Sequence, residues 1–179
     1  MTRLAPVSAR ATPKSRTLGT QRLRSVRITG GFLDGSEFDL ADGLNCLIGA
    51  RGTGKTTVLE LVRYALDALP ATADAERQRI ETLVEANLGS GTVELTIETR
   101  EGLTYKVLRA WRDDPVVVTA DGAATEISLR AAAGGMFRAA IYSQNEIERI
   151  ADQALSQLSL IDNFEPAQIA QITAEIRTL

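Results

Sequence analysis

Cysteine is nearly absent from the chain. Cys46 is the single one, which excludes an internal disulfide framework and suits a reducing cytosol. No apolar run reaches the ~20 residues that a membrane-spanning helix needs, and the N-terminus lacks the apolar core of a secretory signal. The sequence therefore predicts a cytoplasmic protein with no membrane partner. Acids are missing from the start of the chain: Asp34 is the first, after Arg3, Arg10, Lys14, Arg16, Arg22, Arg24 and Arg27. With its Ser, Thr, Pro and Ala, the stretch 1–20 reads as a disordered basic tail. A transit peptide has similar composition, and so does a start codon placed too far upstream.

What is present is ordinary for a globular protein. The 179 residues, 44% hydrophobic and 24% charged, suffice for one domain with a core and room for an appendage. A net charge of −3 and a pI near 5.1 give no bulk attraction for nucleic acid, so any such contact has to be a local basic surface.

Order is expected from about Gln21. Leu23 to Thr29 alternates as a strand and is closed by Gly30-Gly31; Asp34-Gly35 turns the chain into a second strand, Glu37 to Leu40. Leu44-Asn45-Cys46-Leu47-Ile48 is almost continuously apolar, which predicts a strand buried on both faces with Cys46 as a small buried hydrophobe. Val58, Leu59, Leu61, Val62, Ala65, Leu66 and Leu69 recur at helical spacing up to Pro70. A second helix is expected over Ala71 to Asn87, stopped at Leu88-Gly89. Val93 to Ile97, Leu103 to Trp111 and Val116 to Thr119 then read as a half-exposed antiparallel meander, and Ala139 to Tyr142 as a short buried strand. Helical patterns follow over Glu146 to Leu160 and from Pro166 onward. In the last of these, Ile169, Ile172, Ile176 and Leu179 begin a heptad rhythm too short to establish a coiled coil.

Between the apolar run and the first helix lies the chemically informative segment. Gly49-Ala50-Arg51-Gly52-Thr53-Gly54-Lys55-Thr56 satisfies every fixed position of G-x-x-x-x-G-K-[ST]. Glycines let consecutive N–H groups turn inward as an anion nest, and the following helix adds its positive end. In such a loop Lys55 neutralises β/γ-phosphate charge, the Thr56 hydroxyl ligates Mg²⁺, and Thr57 bonds the α-phosphate. Four fixed positions coincide by accident in about one chain in a hundred of this length, and the strand–loop–helix context lowers that further. The pattern predicts ATP with Mg²⁺ as cofactors, bound by residues 49–57. Val116 to Asp121 superficially resembles a metal-holding strand, but Asp121-Gly122 reads better as a turn. Gln144, taken alone, is an ordinary polar loop residue.

In order, Leu23 to Ile28, Gly43 to Gly49, Gly52 to Thr57 and Ile141-Tyr142-Ser143-Gln144-Asn145-Glu146 resemble the N-terminal lobe of ABC-type chromosome and repair ATPases. These are the SMC, RecF, RecN and SbcC-like proteins and their bacterial AAA-family relatives. Arg51 stands where SMC-like loops usually carry Asn, and this form of the loop is similar to ATPases associated with PHP domains or with phage defence. The resemblance implies that Gln144 contacts Mg²⁺ or the attacking water, and so joins Lys55 among the catalytic groups and Thr56 among the metal ligands. It further implies that the terminal heptads start a coiled-coil arm. The family's C-terminal lobe supplies a signature motif, an acidic strand with the catalytic Glu, and a switch His. This sequence has no histidine, and after Gln144 neither of the other two elements.

The fold expected is thus α/β, a P-loop NTPase N-lobe of ABC type with an antiparallel meander beside a parallel core and a C-terminal helix starting a coiled coil. The domain expectation is a tail over 1–20, an ATP-binding lobe over 21–160 and the beginning of the arm over 161–179. Such a lobe works on DNA in repair, chromosome maintenance or phage defence. It hydrolyses ATP only when completed by a C-terminal lobe or second subunit. A small-molecule P-loop kinase is the alternative enzyme class, since a P-loop alone does not separate the classes. A non-catalytic interaction fragment is the third. A GTPase is excluded by the absence of Asn-Lys-x-Asp.

Overall fold

The computed structural model describes residues 20–70, 74–129, 137, 139–162 and 166–177. The expected basic tail, the start of the second helix at Ala71, and Leu179 lie outside these residues. The chain divides into two compact units, Met1–Ile141 and Tyr142–Leu179.

In the first unit, β1 (Arg22–Thr29), β2 (Ser36–Asp39), β3 (Thr92–Glu98), β4 (Thr104–Ala110) and β5 (Val116–Thr119) form one sheet in the order β2-β1-β3-β4-β5. Every pairing in it is antiparallel. Period-two alternation sets the register: Phe38, Val26, Leu95, Val107 and Val117 stand opposite one another across all five strands. This face forms the core with α1 (Lys55–Ala65) and α2 (Asp74–Leu88). α1 packs on β3 and β4, and α2 packs on α1 through Ile80, Val84 and Leu88, all fully buried at a spacing of four. The opposite face is polar and carries cross-strand ion pairs such as Arg27–Glu37 and Lys106–Glu94, each contributing little when solvated.

The helix after the glycine loop stops before Pro70. Asp67 takes a left-handed conformation, with φ of 54°. The Asp67 N–H donates to the Tyr64 carbonyl and the Ala68 N–H to that of Arg63, so a Schellman-type turn ends the helix early.

Three expectations are corrected. Leu44 to Ile48 is not a strand: it runs as exposed, irregular backbone with Leu44 91% and Ile48 76% exposed. Two physical reasons are visible. No described strand pairs with it, and Asn45 turns its amide back onto Ala41 and Gly43, a local bonding pattern that competes with extended pairing. Cys46 is accordingly exposed, not buried. Ala139 to Tyr142 is likewise irregular, with Ala139 and Ala140 exposed. The parallel core that these two segments were to build is therefore absent among the described residues.

The second unit is helical: α3 (Gln144–Asp152), α4 (Ala154–Asp162) and α5 (Pro166–Arg177). The helix expected from Glu146 to Leu160 is split at Gln153, whose carbonyl accepts the Gln157 N–H and opens a new helix. Leu155, Leu158 and Ile161 on α4, and Ile172 and Ile176 on α5, are exposed. No helix among the described residues is long and apolar enough to cross a membrane.

Candidate functional site: an anion cradle at the start of α1

The loop from Gly49 to Thr57 rests on a second loop, the one that leaves β1. There Gly31 approaches the end of α2 so closely that a Cβ would lie 1.9 Å from the Asn87 carbonyl oxygen, and the Phe32 N–H donates to that same oxygen. Anchored in this way, the loop places Leu33 under Gly54: a Cβ on Gly54 would fall 2.9 Å from Leu33 Cδ2 and 3.2 Å from Phe32 Cε1. Gly54 also has φ of 90°, so both space and backbone conformation require glycine there.

The loop then closes on itself. The Thr53 hydroxyl donates to the Ala50 carbonyl at 2.9 Å, and Lys55 Nζ donates to the carbonyls of Gly49 at 2.7 Å and Ala50 at 2.6 Å. The ammonium is thereby stretched back across the loop mouth. Behind it α1 begins at Lys55 with no side-chain cap and no acid in its first turn. The N–H groups of the first turn have no intrahelical acceptor, and the helix dipole makes this end electropositive. Gly52, with φ of 82°, reverses the chain between these parts. Thr56 is exposed and Thr57 half-buried.

Two buried clusters hold α1 in place, and neither is visible as a motif. Glu60 and Arg63 are 2% and 1% exposed. Glu60 accepts from Arg79 at 3.0 Å and faces Arg63 at 3.6 Å, and Arg63 donates to the Ile141 carbonyl. Hydrogen bonds from Arg79 to Glu76 and Glu60 raise the pKa of that guanidinium. At the far end of α1, Arg109 donates to the Tyr64 carbonyl at 2.5 Å and to Asp67 at 3.0 Å, with its guanidinium 4.0 Å over the Tyr64 ring. The Tyr64 hydroxyl donates to the Ala110 carbonyl of β4. The helix carrying the cradle is thus tied to the sheet at one end and to the 139–141 segment in the middle.

The structure brings Gly49, Ala50, Arg51, Gly52, Thr53, Gly54, Lys55, Thr56 and Thr57 together as one loop and helix start. Gln144 is the first residue of α3, three residues beyond the Ile141 that Arg63 holds; its side chain lies outside the described residues. Ser143 and Glu146 form a reciprocal capping box there, with Ser143 N–H to the Glu146 carboxylate at 2.6 Å and Glu146 N–H to the Ser143 hydroxyl at 3.3 Å. That Ser-x-x-Glu signal was legible in the sequence. Asp121 sits in a tight turn: the Thr119 hydroxyl donates to it at 2.5 Å and lowers its pKa, while Gly122 has φ of 90°.

The donor set suits a polyphosphate. It offers an ammonium, a guanidinium, hydroxyls and backbone N–H groups, and no carboxylate in the first turn to repel the anion. Among the described residues no cluster of His, Cys, Asp and Glu could hold a metal by itself. Mg²⁺ in such a cradle would be held jointly with phosphate oxygens, its usual mode, and the Thr56 hydroxyl is the side chain that would supply a protein ligand.

Residues 23–156 match the family described as AAA domain. A 63-residue segment is 46% identical to the DNA replication and repair protein RecF of Salinibacter ruber. That segment covers 35% of this chain and 14% of the relative's length.

Proposed function

This chain belongs to the AAA-domain family as an SMC/RecF-like ATPase domain, and from that premise we propose that it is the ATP-binding N-terminal lobe of a cytoplasmic ATPase acting on DNA. In this reading residues 49–57 bind ATP. Lys55 meets the β- and γ-phosphates, Thr56 and Gln144 bind Mg²⁺, and Gln144 orients the water. The lobe occupies residues 21–160, and 161–179 begin a coiled-coil arm. Repair, chromosome maintenance and phage defence are the settings in which such a machine works.

One observation carries the proposal: the Lys55 ammonium drawn across the loop onto the Gly49 and Ala50 carbonyls, in front of an uncapped, acid-free helix start. Preorganised donors of this kind stabilise phosphate charge as it develops, usually the largest contribution to such catalysis. No carboxylate in the cradle is available to activate water. General-base help is worth ~10²–10⁴-fold, so the chain alone should turn ATP over at near background. The exposed apolar segment Leu44 to Ile48 supports the same view. It is where strands from a C-terminal lobe, on this or another chain, would complete a sheet.

The test is a titration of labelled ATP with and without Mg²⁺ against the protein and against Lys55→Ala. The proposal expects binding that Lys55→Ala weakens by at least about tenfold. Equal affinity for both proteins would remove it.

A further inference from the structure

We infer that Arg51 is a second phosphate-reading cation, one that contacts the terminal phosphate and makes the loop prefer a nucleoside triphosphate over the diphosphate. This rests on the nucleotide-binding reading of the loop and adds to it a residue that the general P-loop pattern leaves unspecified.

The argument begins with charge accounting. Apart from Arg51, Lys55 and Arg100, every described arginine and lysine side chain of the first unit forms an ion pair with a carboxylate. Arg100 also makes no ion pair among the described residues; it stands next in sequence to the acid Glu101 and is the least of the influences that lower that carboxyl's pKa. Two cations with no carboxylate partner among the described residues therefore stand four positions apart in one loop. Nor does any acid in the first turn of α1 compensate them. In a protein with net charge −3, that concentration of unneutralised positive charge marks where an anion belongs.

Position and rigidity give the rest. The Thr53–Ala50 and Lys55–Ala50 hydrogen bonds pin the backbone on both sides of Arg51, and Gly52 reverses the chain immediately after it. The backbone that carries the side chain is fixed, and the residue is exposed. In a loop of this kind the lysine reaches the β/γ end of the polyphosphate, and the N–H groups cradle the α/β end. Lys55 Nζ lies 2.6 Å from the Ala50 carbonyl, the peptide that joins Ala50 to Arg51. Arg51 therefore emerges at the end of the cradle that the lysine marks as terminal. A guanidinium offers a planar fork of donors matched to phosphate oxygens, and the diphosphate has no group there to receive it.

The experiment titrates MgATP and MgADP separately against the wild-type chain, Arg51→Gln, Arg51→Lys and Lys55→Ala. Because Arg51 is exposed, circular dichroism should show all Arg51 variants folded. Arg51→Gln should lose about tenfold in affinity for MgATP and less than about twofold for MgADP, with Arg51→Lys intermediate, because an ammonium keeps the charge but not the fork. Unchanged ATP affinity in Arg51→Gln, or equal losses for ATP and ADP, would overturn the inference and leave the loop's nucleotide binding intact. Wild-type affinities in Lys55→Ala for both nucleotides would instead strike at the loop reading itself.

Discussion

Two stretches of this molecule are about equally apolar and end in opposite environments. Across the sheet, Val26, Leu95, Val107 and Val117 stand in register and are sealed under α1 and α2. Leu44, Leu47 and Ile48, directly before the glycine loop, face solvent at 91%, 37% and 76% exposure. The first stretch has its hydrogen-bonding neighbours within the same chain. For the second no described strand offers a ladder, and its one amide side chain bonds locally instead. Apolarity records where a residue is buried in the finished structure, whereas burial in a given chain also needs a partner to pair with. The first unit thus sets a sheet-and-helix layer that holds the cradle beside an apolar segment that no described strand covers.

The strongest way to probe the sheet-and-helix layer is through its buried charges. Arg63→Ala leaves the Glu60 carboxylate buried with only the partly exposed Arg79 and releases the Ile141 carbonyl. Breaking such a pair costs about 3–5 kcal/mol, readable as a shift in the urea midpoint with unchanged slope. A loss below about 1 kcal/mol would mean that water reaches this site.

The next comparison sets the two stretches directly against each other. Leu95→Ala should cost about 3 kcal/mol through lost burial and a cavity, whereas Ile48→Ala in the same chain should stay within about 0.5 kcal/mol. Equal losses would erase the distinction. The smallest effect belongs to the second unit: Ser143→Ala removes the hydroxyl half of the capping box and should cost about 1 kcal/mol, seen as faster amide exchange in the first turn of α3. Unaltered exchange there would show that the cap is dispensable.

These contrasts also explain what the sequence revealed and what it hid. The meander was legible because alternation in β3 and β4 reports a face covered by the chain's own helices. The glycine loop was legible as a turn into a helix, because Gly52 and Gly54 take positive φ values that other residues rarely adopt. Leu44 to Ile48 and Ala139 to Tyr142 misled because no described strand pairs with either, so their apolar patterns find no ladder to join. Glu60 and Arg63 went unnoticed because they lie within an apolar helix, and the partners that make their burial tolerable, Arg79 and the Ile141 carbonyl, are remote in sequence. The early end of α1 was hidden likewise, since it depends on a left-handed Asp67 and on Arg109 from another element, with Pro70 as a misleading stop. Only the Ser143–Glu146 box was a local signal available and unused.

The central claim is that the start of α1 and the loop before it hold nucleotide phosphates. Amide hydrogen exchange at Lys55, Thr56 and Thr57, with and without saturating MgATP, reads the very N–H groups proposed to do so. The account predicts marked slowing at these amides in the wild-type chain and none in Lys55→Ala. Exchange that MgATP leaves unchanged at all three, or slows equally in Lys55→Ala, would contradict it.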